Sequence, residues 1–209
     1  MFDPPPVRRR PIALIVGGLA TALVVVGLGV LFVTGHSATA GFNNASASME
    51  PTWKVGDHLV VNTDAYRSQA PKTGDVIVFH PPAGADQNTC GDADKQQAEA
   101  CAKPTAAVGS ATFVKRIVAG PGDELSIKGG HVYVDGKRQP DPAIVPCGSD
   151  GVGCDFPSPI TIPPGHWFTM GDNRGESDDS RFWGPVPTAF ILGRVDSCAP
   201  LQLFCHAKG

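Results

Sequence analysis

The sequence predicts a mostly β protein, an antiparallel β-sheet domain preceded by one N-terminal transmembrane helix. A continuous apolar run occupies residues 12–33. After it, short runs of β-branched and aromatic residues alternate with Gly, Pro and Asp-Gly turn signals, the pattern of strands and hairpins. No long amphipathic period of about 3.6 residues follows the apolar run. The length of 209 residues suits one such domain with an appendage.

The apolar run is the expected membrane anchor. Its 22 uncharged residues would be about 33 Å long as a helix, enough to cross a hydrocarbon core of about 30 Å. The preceding arginines, 8–10, should stay in the cytoplasm. A cleaved secretory signal peptide is the competing interpretation, since "SATA" at 37–40 weakly imitates a cleavage site, but the run exceeds the usual apolar core of such peptides. We therefore expect a cytoplasmic tail (1–11), a transmembrane anchor (12–33), a tether (34–44) and an extracytoplasmic domain (45–209).

Charge and cysteine content narrow the class of protein. The formal net charge of −3 gives no basic field for nucleic acid. Six cysteines follow the anchor and allow 15 pairings. Local pairing is the simplest, and such disulfides belong to an oxidising compartment. A metal site is the alternative, but the close spacing of zinc ligands is missing. The expected pairs are Cys90–Cys101, Cys147–Cys154 and Cys198–Cys205, the first two closing loop insertions near 81–112 and 140–164.

The expected strands follow one another along the domain. Each run is apolar and β-branched, and "ELSIKGGHVYVDGKRQ" contains two hairpin turns, Gly-Gly and Asp-Gly. Residues 94–103 could form one or two helical turns. The predicted strand segments are 57–62, 74–80, 111–119, 124–139, 166–173 and 191–197.

Histidine-based catalysis has no positive support in this sequence. The nucleophile elbow Gly-x-Ser-x-Gly is absent, and the six histidines are scattered. A Ser-His-Asp triad is not excluded, because triads are defined by geometry. A lysine can replace histidine as the base if an apolar environment lowers its pKa.

Lys115 in "FVKRIVAG" is the candidate for such a base. Strand alternation places Phe113, Lys115 and Ile117 on one face, with Arg116 on the other. The competing interpretation is a lysine that protects an edge strand from aggregation, and composition alone favours it.

Four stretches of sequence favour the catalytic interpretation of Lys115 over the edge-strand interpretation. In order along the chain they resemble the sequence boxes of bacterial type I signal peptidases, membrane-anchored serine proteases with a Ser/Lys dyad. One short match would carry little weight, but four in the family's order behind a correctly oriented anchor are specific. The resemblance covers roughly residues 41–195. The stretches are "SASMEPT" (46–52), "GDVIVF" (74–79), "KRIVAGPGD" (115–123) and "GDNRGESDDSRFWG" (171–184).

The resemblance implies the catalytic roles. Ser48 would be the nucleophile and Lys115 the general base. The hydroxyl of Ser46 and the backbone N–H of Ser48 would form the oxyanion hole. Ser177 would hydrogen-bond the neutral amine of Lys115 and orient it.

The resemblance also implies supporting and substrate-binding roles. Asp179 and Arg181 would form an ion pair beneath the site, and Met49 would pack near the nucleophile. Residues 172–174 can also be interpreted as an ordinary polar turn. Phe113, Val114 and Trp53 would line pockets for small substrate side chains, and Phe42 and Trp53 could form an apolar rim touching lipid. Trp53 stands where the family usually has Leu, and Gly175-Glu176 replaces Asp-Asn, so fine specificity is open.

The function implied is removal of N-terminal signal peptides from exported precursors after an Ala-x-Ala-like site, through an acyl-enzyme. The expected partners are signal-peptide-bearing precursors and the lipid bilayer, with no nucleic acid. No cofactor or metal is expected. We expect a monomer in the cell membrane, with its N-terminus cytoplasmic and its catalytic domain outside.

Two other hypotheses remain. The first is a specialised peptidase that processes one pilus or conjugation precursor. The second is a disulfide-stapled extracellular binding module without catalysis, which leaves the four ordered matches unexplained.

Overall fold

The computed structural model describes residues 38–141, 144–147 and 153–198. This part of the chain is mostly antiparallel β structure, as predicted. Its only α-helix is the single turn α1 (Ser180–Trp183). The strands in the described residues are β1 (Thr39–Asn43), β2 (His58–Asn62), β3 (Val76–Phe79), β4 (Phe113–Ala119), β5 (Glu124–Lys128), β6 (His131–Val134), β7 (Lys137–Arg138), β8 (Phe156–Thr161), β9 (His166–Met170), β10 (Val186–Pro187) and β11 (Ile191–Cys198).

The larger sheet has the strand order β1-β2-β11-β3-β4-β9-β10, and all its neighbouring strands are antiparallel. Strand β4 lies inside it, between β3 and β9. Its register places Lys115 opposite Ile77 of β3 and Ile117 opposite Thr169 of β9. The predicted base therefore lies on an interior strand, and the hypothesis of an edge-strand lysine is wrong.

The smaller sheet has the order β7-β6-β5-β8 and confirms the predicted hairpins. Gly129 and Gly130 have φ values of 57° and 77°, and Asp135 and Gly136 have 51° and 72°. Two successive positive φ angles are what a type I′ turn requires, so the Gly-Gly and Asp-Gly pairs set the register of both hairpins.

The buried apolar residues divide according to the two faces of β4. Val114 joins Met49, Leu59 and Val78 on one face. On the other face, Ile117 and the half-buried Phe113 join the cluster that contains Ile77, Phe79 and Trp183. The predicted alternation along β4 is therefore correct. A third cluster joins β4 and β9 to β5, β6 and β8 through Val118, Phe168, Met170, Leu125, Ile127, Val132, Phe156 and Ile160.

The predicted tether is partly wrong, because Thr39–Asn43 forms strand β1. Its backbone pairs with β2, and Phe42 lies opposite Leu59 and packs against the cluster around Met49. Small polar residues suit an exposed edge strand, so composition alone could not distinguish it from a tether.

The predicted anchor, 12–33, lies outside the described residues. Within 38–198, the described residues contain no helix long and apolar enough to span a bilayer.

Two further expectations need correction. Residues 94–103 form turns rather than helix, because so short a helix does not repay its nucleation cost. The predicted insertion 140–164 contains β8, where Phe156 and Ile160 are buried against the third cluster. Its two prolines are tolerated because β8 is an edge strand.

The pairs Cys90–Cys101 and Cys147–Cys154 are disulfides, as predicted. The predicted pair Cys198–Cys205 lies outside the described side chains. In the first insertion, Cys101 is fully buried and its N–H donates to the carbonyl of Arg181 at 3.0 Å.

We expect the double substitution Cys90→Ser/Cys101→Ser to lower the free energy of unfolding by about 3 kcal/mol, the loop-closure contribution for a loop of this length. Chemical denaturation of the oxidised protein and the variant would measure the change. An unchanged denaturation midpoint would show that the loop is held without its disulfide.

Candidate active site

Ser48 lies in a short 3-10 helix, Ala47–Met49, which packs against β4. Ser46 precedes this helix with extended backbone and makes no side-chain cap. Its Oγ instead lies 3.0 Å from the Oγ of Ser48. The two serines therefore point towards each other and do not act as turn-capping residues.

The amine of Lys115 completes this cluster. Its Nζ lies 2.7 Å from the Oγ of Ser48. Both residues are only 5% exposed, and the ring of Phe113 lies 5.6 Å from the amine. The structure thus brings together a hydroxyl and a lysine that are 67 residues apart in sequence.

Burial lowers the pKa of Lys115 from its ordinary value to about 8, while the carboxylates of Asp179 and Asp178 oppose the shift and the charge of Arg181 favours it. At pH 7 about one amine in ten is then neutral, against roughly one in 2,500 for an ordinary lysine. Lys115 can therefore accept a proton from Ser48 near neutral pH.

The segment after β9 holds the backbone of Ser48. The N–H of Asn173 donates to the carbonyl of Ser48 at 3.0 Å, and its side-chain amide donates to the carbonyl of Ala47 at 3.4 Å. A Cβ at Gly171 would collide with the Ser48 carbonyl oxygen and with the hydroxyl of Ser177. Only glycine permits this close approach.

The predicted ion pair between Asp179 and Arg181 is present and completely buried. Arg181 Nε lies 2.7 Å from Asp179 Oδ1, and Nη2 lies 2.9 Å from Oδ2. The carboxylate also accepts the N–H of Gly171 at 3.0 Å. Burial alone would raise the pKa of Asp179, but the charge and hydrogen bonds of Arg181 outweigh it and lower the pKa.

Sequence reasoning missed a second Asp–Arg pair. Arg116 donates through Nε and Nη2 to Asp172, at 2.8 and 2.6 Å, and Thr52 donates to the same carboxylate at 2.5 Å. Asp172 was interpreted as part of an ordinary turn, yet it is fully buried. A signal was available, since all three residues lie inside the matched boxes.

The predicted bond between Ser177 and Lys115 is wrong for this structure. The Ser177 Oγ is buried and has no hydrogen-bond partner in the described part of the chain. Its carbonyl accepts from Arg181 Nη2 at 2.9 Å, and its hydroxyl lies against Gly171. These contacts hold the backbone of Ser177 and place its hydroxyl beside Gly171, where it makes no bond to the amine.

A cavity of about 290 Å³ opens beside the Ser48–Lys115 pair. Phe113 and Val114 line it, as predicted. Trp53 does not line it and instead packs, half-buried, against the Met49 cluster. The full lining is Phe42, Asn44, Ala45, Ser46, Ser48, Thr112, Phe113, Val114, Lys115, Glu176 and Asp178.

No group of three or more His, Cys, Asp or Glu side chains placed to hold a metal ion occurs among the described residues. The chemistry that this arrangement offers is nucleophilic: a hydroxyl, an amine to take its proton, and a cavity beside them.

Comparison with known proteins gives a family match. Residues 17–199 match the model of the family described as "Signal peptidase, peptidase S26". The match includes Ser48 and Lys115 and all four boxes.

Individual relatives agree with this family. The chain is 33% identical over 150 residues to a probable signal peptidase I-2 of Synechocystis sp., with 72% of this chain and 58% of the relative covered. It is 27% identical over 185 residues to signal peptidase IB of Staphylococcus aureus, covering 82% and 83%. The chain thus spans less than two thirds of the cyanobacterial relative. A crystal structure of a signal peptidase I from Enterococcus faecalis V583 matches at 20% identity with a TM-score of 0.38, covering 61% of this chain and 97% of that one.

We expect Asp179→Asn to lower the free energy of unfolding by about 3–5 kcal/mol, because it leaves the Arg181 charge buried and unpaired. Denaturant titration would measure this. The matched control is Asp178→Asn at the exposed neighbouring carboxylate, expected within about 0.5 kcal/mol of the parent. Equal effects of the two substitutions would contradict the assignment of a structural role to the ion pair.

Proposed function

The chain belongs to the signal peptidase family, peptidase S26, and from that premise we propose that it is a membrane-bound serine endopeptidase that removes signal peptides by a Ser48/Lys115 mechanism. The observation that carries the mechanism is the distance of 2.7 Å between Lys115 Nζ and Ser48 Oγ in a buried setting. A binding module without catalysis gives no reason for a buried lysine with a lowered pKa beside a serine hydroxyl.

The proposed reaction has two halves. Neutral Lys115 takes the proton of Ser48 as its Oγ bonds to the scissile carbonyl carbon, and the resulting ammonium protonates the departing amine as the C–N bond breaks. A water molecule, deprotonated by the same lysine, then attacks the Ser48 ester and releases the new carboxyl terminus. The lysine proton returns to Ser48.

The negative charge that develops on the carbonyl oxygen needs hydrogen-bond donors to stabilise it. We assign this role to the Ser46 hydroxyl and the backbone N–H of Ser48. Support comes from the position of Ser46, whose Oγ lies 3.0 Å from the nucleophile and is free of any capping bond to the 3-10 helix.

The cavity supports the proposed class of substrate. Phe113 and Val114 present apolar walls next to the nucleophile, which suits the small side chains of an Ala-x-Ala-like cleavage site. We assign residues 12–33 as the anchor that places this cavity at the outer face of the cell membrane, near precursors whose signal peptides still lie in the bilayer.

Ser48→Ala and Lys115→Ala should each lower cleavage of an Ala-x-Ala precursor by about 10⁴-fold or more, because each removes a group that forms or breaks bonds. Precursor cleavage by the full chain in detergent micelles measures the loss. Mass spectrometry after an acylating inhibitor should find the adduct on Ser48 in the parent protein and not in Lys115→Ala.

Lys128→Ala is the control, since that lysine is exposed on β5. Near-normal cleavage by folded Lys115→Ala would refute the Ser/Lys assignment. A chain that cuts one precursor in a panel of unrelated secretory precursors and leaves the rest intact would instead favour the specialised peptidase.

We expect kcat/KM to rise with pH and level off above a midpoint of about 8, because only the neutral amine of Lys115 can take the serine proton. Below that midpoint it should fall about tenfold per pH unit. A pH–rate profile measures this, and stability measured over the same range separates it from unfolding. A midpoint near 10.5, the ordinary value, would show that burial does not tune this lysine.

A further inference from the structure

Thr52 occupies a junction that the proposed mechanism does not use. It lies four residues after Ser48 in the same box. Its Oγ1 is 2.5 Å from Asp172 Oδ2 and 3.4 Å from Arg116 Nη2. One hydroxyl therefore touches both members of the Arg116–Asp172 pair.

The direction of these bonds is fixed by chemistry. A carboxylate only accepts hydrogen bonds, so the Thr52 O–H donates to Asp172, and its lone pair faces the guanidinium of Arg116. Asp172 is fully buried and already accepts two bonds from that guanidinium, at 2.8 and 2.6 Å. Arg116 Nη1 is occupied by the carbonyl of Gly74 at 2.9 Å. The bond to Thr52 is thus a charge-assisted bond to a carboxylate that is already held in place.

These three residues come from the three segments that build the Ser48–Lys115 pair. Arg116 is the neighbour of Lys115 on β4. Asp172 lies between Gly171, which touches the Ser48 carbonyl, and Asn173, which donates to it. Thr52 belongs to the segment that carries the nucleophile.

The connection from Thr52 to Ser48 is short and hydrogen-bonded. The N–H of Glu50 donates to Ala47 at 3.0 Å, and the N–H of Trp53 donates to Met49 at 2.9 Å. These bonds couple the position of Thr52 to that of Ser48.

We propose that Thr52 is a positioning residue for the dyad, whose hydroxyl ties the nucleophile segment to Arg116–Asp172 and so holds Ser48 Oγ within reach of Lys115 Nζ. This inference rests on the proposed Ser/Lys function. Without the hydroxyl, the nucleophile segment keeps its bonds to Asn173 and its packing against β4 but loses its hydrogen-bonded link to Arg116 and Asp172. Misplacement of a reacting group by about 1 Å can cost about 10²-fold in rate.

Two substitutions distinguish the contribution of the Thr52 hydroxyl from that of its methyl group. Thr52→Val keeps the shape and removes the hydrogen bonds, whereas Thr52→Ser keeps the hydroxyl and removes the methyl. In the full chain, we expect Thr52→Val to lower kcat by about 10- to 100-fold with KM within about twofold of the parent, and to slow acylation of Ser48 equally. Thr52→Ser should retain most of the parent kcat.

Thr105→Val is the matched control. Thr105 is also half-buried, and its hydroxyl donates to the carbonyl of Ala83 at 2.7 Å, in the first insertion. We expect its kcat to match the parent, with unfolding midpoints measured for every variant.

Parent-like kcat in Thr52→Val, a rise in KM with kcat unchanged, or an equal loss in Thr52→Val and Thr52→Ser would each overturn the positioning role. If Thr52→Val does not fold, Thr52→Ser still tests the positioning role. A folded Thr52→Ser with a low kcat contradicts the proposal, and a folded Thr52→Ser with the parental kcat supports it. Cleavage that survives Ser48→Ala would refute the Ser/Lys mechanism itself. Cleavage that requires Ser48 but is indifferent to Thr52→Val would refute only the role of Thr52.

Discussion

The active-site structure depends on keeping one lysine amine out of water while a serine hydroxyl stays within its reach. Lys115 satisfies this because β4 lies inside the sheet, where Ile77 faces it and Phe113 covers it. Burial dominates its pKa, and the carboxylate of Asp179 alone would partly cancel that effect. Pairing Asp179 with Arg181 places an opposing charge beside the carboxylate, so the amine keeps a pKa of about 8 in an acidic neighbourhood.

The two Asp–Arg pairs therefore have different physical roles. A completely buried ion pair gains little net stability over well-packed apolar residues, so stability alone does not explain Asp179–Arg181. Its carboxylate accepts the N–H of Gly171, and its arginine donates to the carbonyl of Ser177, which fixes the loop behind the dyad. The Arg116–Asp172 pair is partly exposed on the arginine side and, through Thr52, joins β4 to the segment that carries Ser48. The Asp179–Arg181 pair has the larger electrostatic effect on Lys115, and the Arg116–Asp172 pair links the segments by hydrogen bonds.

Sequence reasoning succeeded where a local rule decides the structure. Alternation along β4 predicted the face of Lys115, and the Gly-Gly and Asp-Gly pairs predicted the hairpins, because both patterns depend on neighbouring residues alone. It failed where the partner is distant in sequence. Residues 39–43 become a strand only because β2 offers an edge, and the burial of the Asp172 side chain depends on its bonds to Arg116. Trp53 shows the same limit, since its place in the Met49 cluster and outside the cavity depends on how three segments pack.

The two disulfide-bearing insertions lie outside the matched boxes, yet both meet the arginine of the buried pair. The N–H of Cys101 donates to the Arg181 carbonyl at 3.0 Å, and Arg181 Nη1 donates to the carbonyl of Gly153, next to Cys154, at 2.8 Å. Each disulfide closes a loop at or next to a residue that hydrogen-bonds Arg181, so these buried polar groups of Arg181 are paired. A buried guanidinium needs its donors satisfied, and the second insertion supplies one acceptor through Gly153, while the first insertion satisfies the backbone carbonyl of Arg181. Sequence outside the recognisable motifs thus helps to maintain the low-dielectric environment on which the lysine depends.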